Sequence, residues 1–547
     1  MECGGARPVQ PMAGKAEVMN RLRLLLVCVL LSGTIKAADN PRPVRSVGEF
    51  GAFTADKNDP ATVSANTVTL NRALDEVGKS GGGSVVLPAG VYYLAPTENE
   101  IKGGGGAAIH IRHDHMTLRG AGIGKTVLRT RSEWTVEKGA VVRGSGIRIE
   151  GTHWEGGPRH DITLAGFELD GGAGFTGHFD WPASVKDGDG WDITHKGIIL
   201  SVDDFVDDVT LDSVYVHGYR GEVIYAGGLG LGKVRLSHVK SEDTNASTFN
   251  ITADFIAEDC EFGKGRFWVE IATRGSKKSG TFRRCRFHDA SVTGIALCQG
   301  DGGAQPYLFE DCTFENAPGV FGMYGGVGGP VVIRGNTFTH AGTILSSGYS
   351  PGAIVNVNKG VLMEGNQAVH CGALVSFTAQ ATDWVIRKNT FSGLDPANPG
   401  LSTAVVYGAA VISHCAITDN QFTDCRTPEQ SAWIKGERPL FLRNTYKNSE
   451  QRSLQGVFSI TADQTKVTPH FEEVTVYSSD AKITPELETA GYPDGQELVI
   501  RGGKPDAPVK FSTKAASYTV KSQHSLKGAG SLHFKFDRKA SKWVESP

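Results

Sequence analysis

A short pattern recurs through the middle of the chain: an apolar residue, two polar residues, Cys or Asn, one more residue, then an aromatic. It reads Phe282-Arg-Arg-Cys285-Arg-Phe287, Phe309-Glu-Asp-Cys312-Thr-Phe314, Ile333-Arg-Gly-Asn336-Thr-Phe338, Ile386-Arg-Lys-Asn389-Thr-Phe391 and Ile417-Thr-Asp-Asn420-Gln-Phe422. Weaker copies sit at Cys260-Glu-Phe262, Met363-Glu-Gly-Asn366 and Leu442-Arg-Asn444-Thr-Tyr446, with earlier ones at Leu164 to Leu169 and Leu211 to Val216. From Phe262 to Tyr446, with Ala368 once in place of the aromatic, the spacings are 25, 27, 24, 30, 23, 31 and 24 residues. A fixed motif carried at that period with variable insertions is a solenoid. Each period also holds a second β-type run, such as Phe267 to Ile271, Gly294 to Leu297, Ala373 to Phe377 and Ala404 to Tyr407. Three short strands per turn with almost no helical periodicity point to a parallel β-helix. Leucine-rich repeats would need Leu at fixed positions and a helical segment, and neither is present.

Stacked coils place equivalent residues about 4.8 Å apart. Asn336, Asn366, Asn389, Asn420 and Asn444 are then expected to form a ladder in which each amide bonds to the next and satisfies buried turn backbone. Cys260, Cys285 and Cys312 hold the same rung and read as small buried packing residues. The chain has 547 residues, beyond the ~250–300 at which one globular core stops growing. Its 70 glycines are about twice the usual share of ~7%, which suits a chain that turns often. A formal charge of −3 counts against a nucleic-acid binder working through a basic face, so no nucleic-acid partner is expected.

The ends differ from the middle. Residues 1–38 are expected to be a signal peptide, with translation starting at Met19: Arg21 and Arg23 precede the apolar run Leu24 to Leu31, and Ile35-Lys-Ala-Ala38 offers a cleavage site. The run is too short to span a bilayer, which needs about 20 apolar residues, so a secreted or periplasmic protein without a membrane span is expected. Of the nine cysteines, cleavage would remove Cys3 and Cys28; the rest show no CxxC pair, which argues against a zinc ribbon or a disulfide framework. Residues 39–460 are assigned to the parallel β-helix as the catalytic domain. Within them Asn66 to Gly78 reads as one amphipathic helix, through Leu70, Ala73, Leu74 and Val77, suited to capping the open end of the solenoid. Residues 461–495 are read as a connecting segment. Residues 496–547, with runs at Glu497 to Ile500, Ser517 to Val520 and Ser531 to Phe536, are read as a small antiparallel β module.

In this order, Val47-Gly-Glu-Phe-Gly51, Ala65-Asn-Thr67 with its helix, and Gly81-Gly-Gly-Ser-Val-Val-Leu-Pro-Ala-Gly-Val-Tyr92 resemble the N-terminal cap and first coil of the pectate-lyase-like superfamily. With the repeats, the resemblance covers roughly Val44 to Ile460. It implies an all-β, secreted, right-handed single-stranded parallel β-helix. The superfamily includes polysaccharide lyases, glycoside hydrolases of the rhamnogalacturonase type, uronan epimerases and phage tail-spikes, so the fold does not choose a reaction. The acidic Gly-Asp-Gly segment common after the opening strand is replaced by Phe53-Thr-Ala-Asp-Lys-Asn-Asp-Pro60. Neither the polygalacturonase residue set nor the Arg-x-Pro-x-x-Arg run of calcium pectate lyases is present, and no catalytic set carries over.

In such helices the cleft runs along the first strand of each coil. Here that strand is registered at Gly197 to Ser201, Glu222 to Ala226, Thr248 to Thr252, Phe267 to Ile271 and Gly294 to Cys298. Alternation sends Ile198, Ile224, Phe249, Val269 and Ile295 inward. It leaves Ile199, Tyr225, Asn250, Glu270 and Ala296 in one outward row, with Trp268 beside it. Later coils replace the polar row with Gly, Ala and Val, which places the site before about residue 300. A long insertion, Asp170 to Lys196, stands over the row with His178, Trp181, Trp191, His195 and Lys196. Insertions of this kind in a solenoid are usually functional or disordered, and disordered segments avoid aromatics. The next turn adds His217, Arg220 and Glu222. The catalytic candidates are therefore His195, Lys196, His217, Arg220, Glu222, Tyr225 and Glu270; the substrate-binding candidates are His178, Trp181, Trp191, Asn250, Trp268 and Arg274.

A lyase must neutralise a uronate carboxylate, remove the adjacent proton and protonate the leaving oxygen. Arg220, Lys196, Arg274 or Asn250 suit the first task, and Tyr225, His195 or His217 the others. A hydrolase instead needs two carboxylates about 5–9.5 Å apart, and Glu222 with Glu270 is the best pair. The mixture of cations, phenol and imidazole favours β-elimination on an acidic polysaccharide by a monomer. A hydrolase, a uronan epimerase and a non-catalytic glycan-binding surface protein are the alternatives. No metal ligands are assigned and calcium is the one candidate cofactor, because Asp187-Gly-Asp189-Gly-Trp-Asp192 has the spacing, without the length or terminal Glu, of a calcium loop. Asp203, Asp204, Asp207 and Asp208 read as a solvated turn. Gly120 to Thr126 lacks the spacing of a phosphate loop.

Overall fold

The computed structural model describes residues 42–96, 107–130, 145–150, 159–172, 196–201, 206–219, 221–227, 232–272, 278–298, 307–324, 330–348, 357–393, 406–408, 411–425, 429–430, 435–436, 440–447 and, with short interruptions, 456–547. The proposed signal peptide lies outside them. Among the described residues one 35-stranded sheet, parallel at its pairings, winds from Val44–Ser46 to Thr445–Lys447. This is the right-handed parallel β-helix expected from the repeats, with three strand faces per coil. The first face includes Ala107–Ile111, Ser145–Ile149, Ile198–Ser201, Ile224–Ala226 and Ser247–Ile251. The second includes Lys233–Ser237, Asp254–Glu258, Gly280–Arg283, Tyr307–Glu310 and Val331–Arg334. The third comes after each repeat motif.

The motif makes the corner between the second and third faces. The residue before each Cys or Asn is left-handed: φ is 53° at Arg284, 54° at Asp311, 68° at Gly335 and 55° at Lys388. That sharp turn buries the next side chain, and the ladder forms as expected. Asn366 Nδ2 donates to Asn389 Oδ1 at 2.8 Å and to Ile333 O at 2.9 Å; Asn389 Nδ2 donates to Asn420 Oδ1 at 2.9 Å. The Cys and Asn segments join where Cys312 N donates to Asn336 Oδ1 at 2.8 Å. Cys260, Cys285, Cys312, Cys371, Cys415 and Cys425 are buried. One step further along the motif, aromatic rings stack coil on coil, Phe262 on Phe287 at 5.3 Å, Phe287 on Phe314 at 4.7 Å and Phe314 on Phe338 at 5.0 Å.

The capping helix spans Pro60–Lys79 and starts earlier than its apolar spacing suggests. Asp59 accepts from Thr62 N at 3.0 Å and Pro60 sits in the first turn, two start signals that apolar periodicity does not register. Its face of Val63, Leu70, Ala73, Leu74 and Val77 is buried against the first coils. At the other end a six-stranded sheet gathers Gly456–Ile460, Glu473–Ser478, Glu497–Gly502, Ser531–Asp537, Lys542–Glu545 and Tyr518–Thr519. The pairs Glu497–Gly502 with Ser531–Asp537 and Ser531–Asp537 with Lys542–Glu545 are antiparallel; Glu473–Ser478 pairs in parallel on both its sides. The sheet therefore reaches back across the stretch read as a connector.

Candidate functional site

On the first face the register follows the alternation residue for residue. Ile198, Ile224, Phe249, Val269 and Ile295 align and are buried. Ile199, Tyr225, Asn250, Glu270 and Ala296 align in the outward row. The row continues past both ends. Toward the N-terminus it adds Arg148 and His110. Toward the C-terminus it becomes Gly322, Ser346, Ser376, Tyr407 and Gln430, so among the described residues its last charged member is Glu270.

Lys196, Glu222 and Tyr225 come together at the middle of this row. Lys196 Nζ lies 2.6 Å from Glu222 Oε2 and 3.5 Å from the centre of the Tyr225 ring, and both partners of the ion pair are buried. The phenol folds back over Gly227, where a Cβ would lie 2.2 Å from Tyr225 Cζ; the missing side chain lets the ring lie flat. Two coils on, Glu270 accepts from Ser247 Oγ and, at 3.3 Å, from Asn250 Nδ2. Glu222 and Glu270 are thus held by different partners, two coils and three strand positions apart.

The N-terminal extension of the row is a group that the repeat-based reading missed. Glu150, fully buried, accepts from His110 Nδ1 and from Arg112 Nε, each at 2.5 Å. Asn71 on the capping helix accepts from His110 N at 2.8 Å and donates to Ala108 O at 2.8 Å, fixing the strand that carries the imidazole. Burial alone would raise the Glu150 carboxyl; His110 and Arg112 outweigh it and hold the group below the ordinary carboxylate range. Arg148 stands beside His110 in the row, and Arg159 Nε donates to Glu150 O at 3.1 Å. These coils lack the Cys/Asn motif, but alternation in Ile109-His-Ile111 and Ile147-Arg-Ile149 carried the signal.

His217 lies instead on the third face. It stacks on Tyr215 at 4.3 Å, and its Nε2 is 3.1 Å from Glu168 Oε1. The next coils add Glu242, Glu261 and His288, whose ligand atoms lie within 4.8 Å of one another and could hold a metal ion. Lys240 Nζ stands between the two carboxylates, 3.1 Å from Glu242 and 3.2 Å from Glu261, and so provides positive charge there itself. Tyr215 donates to Glu242 Oε1 at 2.6 Å; burial and that carboxylate push the phenol well above its ordinary range.

Trp268 requires a correction. It does not flank the row but is buried, its Nε1 donating 2.7 Å to His288 O and its ring packed near Phe287 and Phe314. The chain turns from the third face to the first at this point. Two neighbours, Trp268 and Val269, therefore both point inward, and alternation, which assumes a straight strand, fails. Tyr219, at the same corner two coils earlier, is likewise buried, bonded to Thr130 at 2.8 Å. His110, Arg148, Ile199, Ala296 and Ser376 are in the outward row yet buried. His178, Trp181, Trp191, His195, Arg220 and Arg274, with the calcium-like loop and Asp203 and Asp204, lie outside the described residues.

A family model described as a right handed beta helix region matches residues 269–446. No curated protein matches the sequence. Among solved structures, the chain is similar to the A-module of the mannuronan C-5 epimerase AlgE4 from Azotobacter vinelandii, at 15% identity over 75% of this chain and 96% of that one, with a TM-score of 0.44. It is also similar to PfbA, a surface adhesin of Streptococcus pneumoniae, at 12% identity over 74% and 92%, with a TM-score of 0.46. The catalytic unit of a GH87 α-1,3-glucanase from Streptomyces thermodiastaticus gives 13% identity over 76% and 70%, with a TM-score of 0.45. The family model agrees with the right-handed parallel β-helix expected from the repeats.

Proposed function

We propose that this right-handed parallel β-helix is a secreted enzyme that cleaves an acidic polysaccharide by β-elimination. The observation that carries the reading is the outward row on the first face, where Arg148, Tyr225, Asn250 and Glu270 stand within a few coils of one another. Beta-elimination on a uronate needs positive charge or amide donors at the carboxylate. It also needs a base for the adjacent proton and an acid for the leaving oxygen. Arg148 and Asn250 suit the first role and Tyr225 the second. Tyr225 also suits the third, because the departing oxygen is bonded to the carbon next to the one that loses the proton; His110, three coils away and oriented by Glu150, meets a different part of a chain lying along the row. The base takes the proton beside the carboxylate, a carbon–carbon double bond forms as the glycosidic carbon–oxygen bond breaks, and the released oxygen takes a proton.

Hydrolysis is the weaker reading. Glu222, one of the two carboxylates it would use, is buried in an ion pair with Lys196 at 2.6 Å, whereas glycosidases need two carboxyl groups that flank the scissile bond about 5–9.5 Å apart. Epimerisation shares the proton abstraction but returns a proton to the opposite face of the same carbon and leaves the glycosidic bond intact. A panel of polyuronates incubated with the full chain tests the proposal. Expected is the ultraviolet absorbance of an unsaturated product, reduced about 10²–10⁴-fold in Tyr225→Phe with the fold intact. New reducing ends without that absorbance would establish hydrolysis instead. Altered uronate composition without new ends would establish epimerisation, and binding without any chemical change would leave a lectin-like protein.

A further inference from the structure

The second face carries a surface feature that the proposed chemistry does not use. Along its outward middle row, Ile256, Thr281, Leu308, Val332, Leu362 and Val385 stack on six successive coils without a charge. The same row on earlier coils is Thr163, Thr210 and Arg235, so the stripe is a property of the C-terminal half and not of the fold. Ile256 is 47% exposed, and the other five are half-buried between their neighbours. Two positions along each strand runs a second row: Glu258, Arg283, Glu310, Arg334, Glu364 and Arg387. Its sign alternates at every step.

Within the chain these charges pair up and down the stack: Arg283 with Glu258 at 3.0 Å and Glu310 at 2.9 Å, Arg387 with Glu364 at 2.7 Å. A carboxylate has about four acceptor sites and an arginine five donors, so each can take another partner. Six alternating charges are complementary to themselves only when one copy is reversed. About a two-fold axis between the coils of Leu308 and Val332, Glu258 meets Arg387, Arg283 meets Glu364, and Glu310 meets Arg334. The same operation lays Ile256 on Val385, Thr281 on Leu362 and Leu308 on Val332. A parallel arrangement offers the charged row no such match.

We propose that the partner for this face is a second copy of the chain, bound antiparallel about that two-fold axis. The stripe and its flanks measure about 30 Å by about 20 Å from strand spacing and residue rise. That amounts to about 1,200 Å² buried in total, at the lower bound of specific interfaces, so the dimer is reversible and concentration-dependent. The first face points elsewhere on the prism and stays open. This departs from the monomer expected from the sequence, and it is independent of the proposed reaction.

Sedimentation equilibrium of the full chain is expected to show a monomer–dimer equilibrium. Leu308→Glu sets a carboxylate against Val332 of the partner and is expected to weaken the dimer at least tenfold, with the circular dichroism spectrum unchanged. Adding Val332→Lys in the same chain is expected to restore it, because position 308 of each copy then faces position 332 of the other with opposite charge. Orientation is read by mixing Thr281→Cys and Leu362→Cys chains under oxidising conditions. The antiparallel dimer gives the mixed disulfide, while Thr281→Cys alone stays uncrosslinked. A chain that remains monomeric across the concentration range, or one in which Thr281→Cys crosslinks with itself, would overturn the proposal.

Discussion

At the scale of single residues, the first face holds charges removed from water. Lys196 and Glu222 are buried together beneath Tyr225. Such pairs contribute little net stability, but removing one partner costs about 3–5 kcal/mol. Lys196→Met is therefore expected to lower unfolding stability by about that amount in urea titration, while Lys196→Met with Glu222→Gln recovers most of it. Recovery of stability without recovery of activity would assign the pair to chemistry as well as packing. The sequence made Tyr225, Asn250 and Glu270 legible because one strand alternates reliably between its corners. Trp268 was misplaced because a corner falls between it and the strand, and corner geometry has no period of two. His110, Arg148 and Glu150 were missed because their coils lack the motif by which the others were found.

At the scale of elements, the asparagine ladder and the salt-bridge rows respond to different perturbations. Asn389 Oδ1 accepts from Asn366 N and Nδ2, and its Nδ2 donates to Met363 O and Asn420 Oδ1. Asn389→Leu leaves several buried groups unsatisfied and is expected to cost about 3 kcal/mol or more. Asn389→Cys is expected to cost less, because Cys already fills that rung at 285 and 312; chemical denaturation of the two variants checks the order. The outer rows answer to pH. Arg334 and Arg283 hold Glu310 below the ordinary carboxylate range, Arg387 does so for Glu364 and Arg443 for Asp419. Folded values depressed below unfolded ones stabilise the protein above the unfolded pKa of about 4, and that stability is lost as pH falls through the folded values. Thermal melts are expected to be flat from neutral pH to about 5 and to fall steeply below about 4. Added salt should shrink the drop, since these groups are near the surface.

At the scale of the molecule, stability is a sum of coil-to-coil contacts, weakest at the ends. The helix Pro60–Lys79 closes one end with Leu70 fully buried. Leu70→Ala is expected to cost about 2–5 kcal/mol and to raise hydrogen exchange first in the strands Gly83–Val86 and Ala107–Ile111, leaving the coils around Phe287 and Phe314 protected. Uniform exchange along the solenoid would contradict this. The architecture was readable because every coil repeats one corner. The C-terminal sheet was harder to bound, because its first strands continue the parallel sense of the solenoid after the motif has gone.

The left-handed residue before each Cys or Asn has a consequence beyond its own turn. It closes each coil at a fixed corner, whatever lengths of loop lie between, so spacings from 23 to 31 residues leave the ladder in step. A gene segment encoding one whole coil can then be gained or lost as a unit, moving every downstream group by a single increment of about 4.8 Å while the corners still meet. Variation in such a protein is quantised along its axis, and its outward rows can lengthen or shorten by whole coils without redesign of the core.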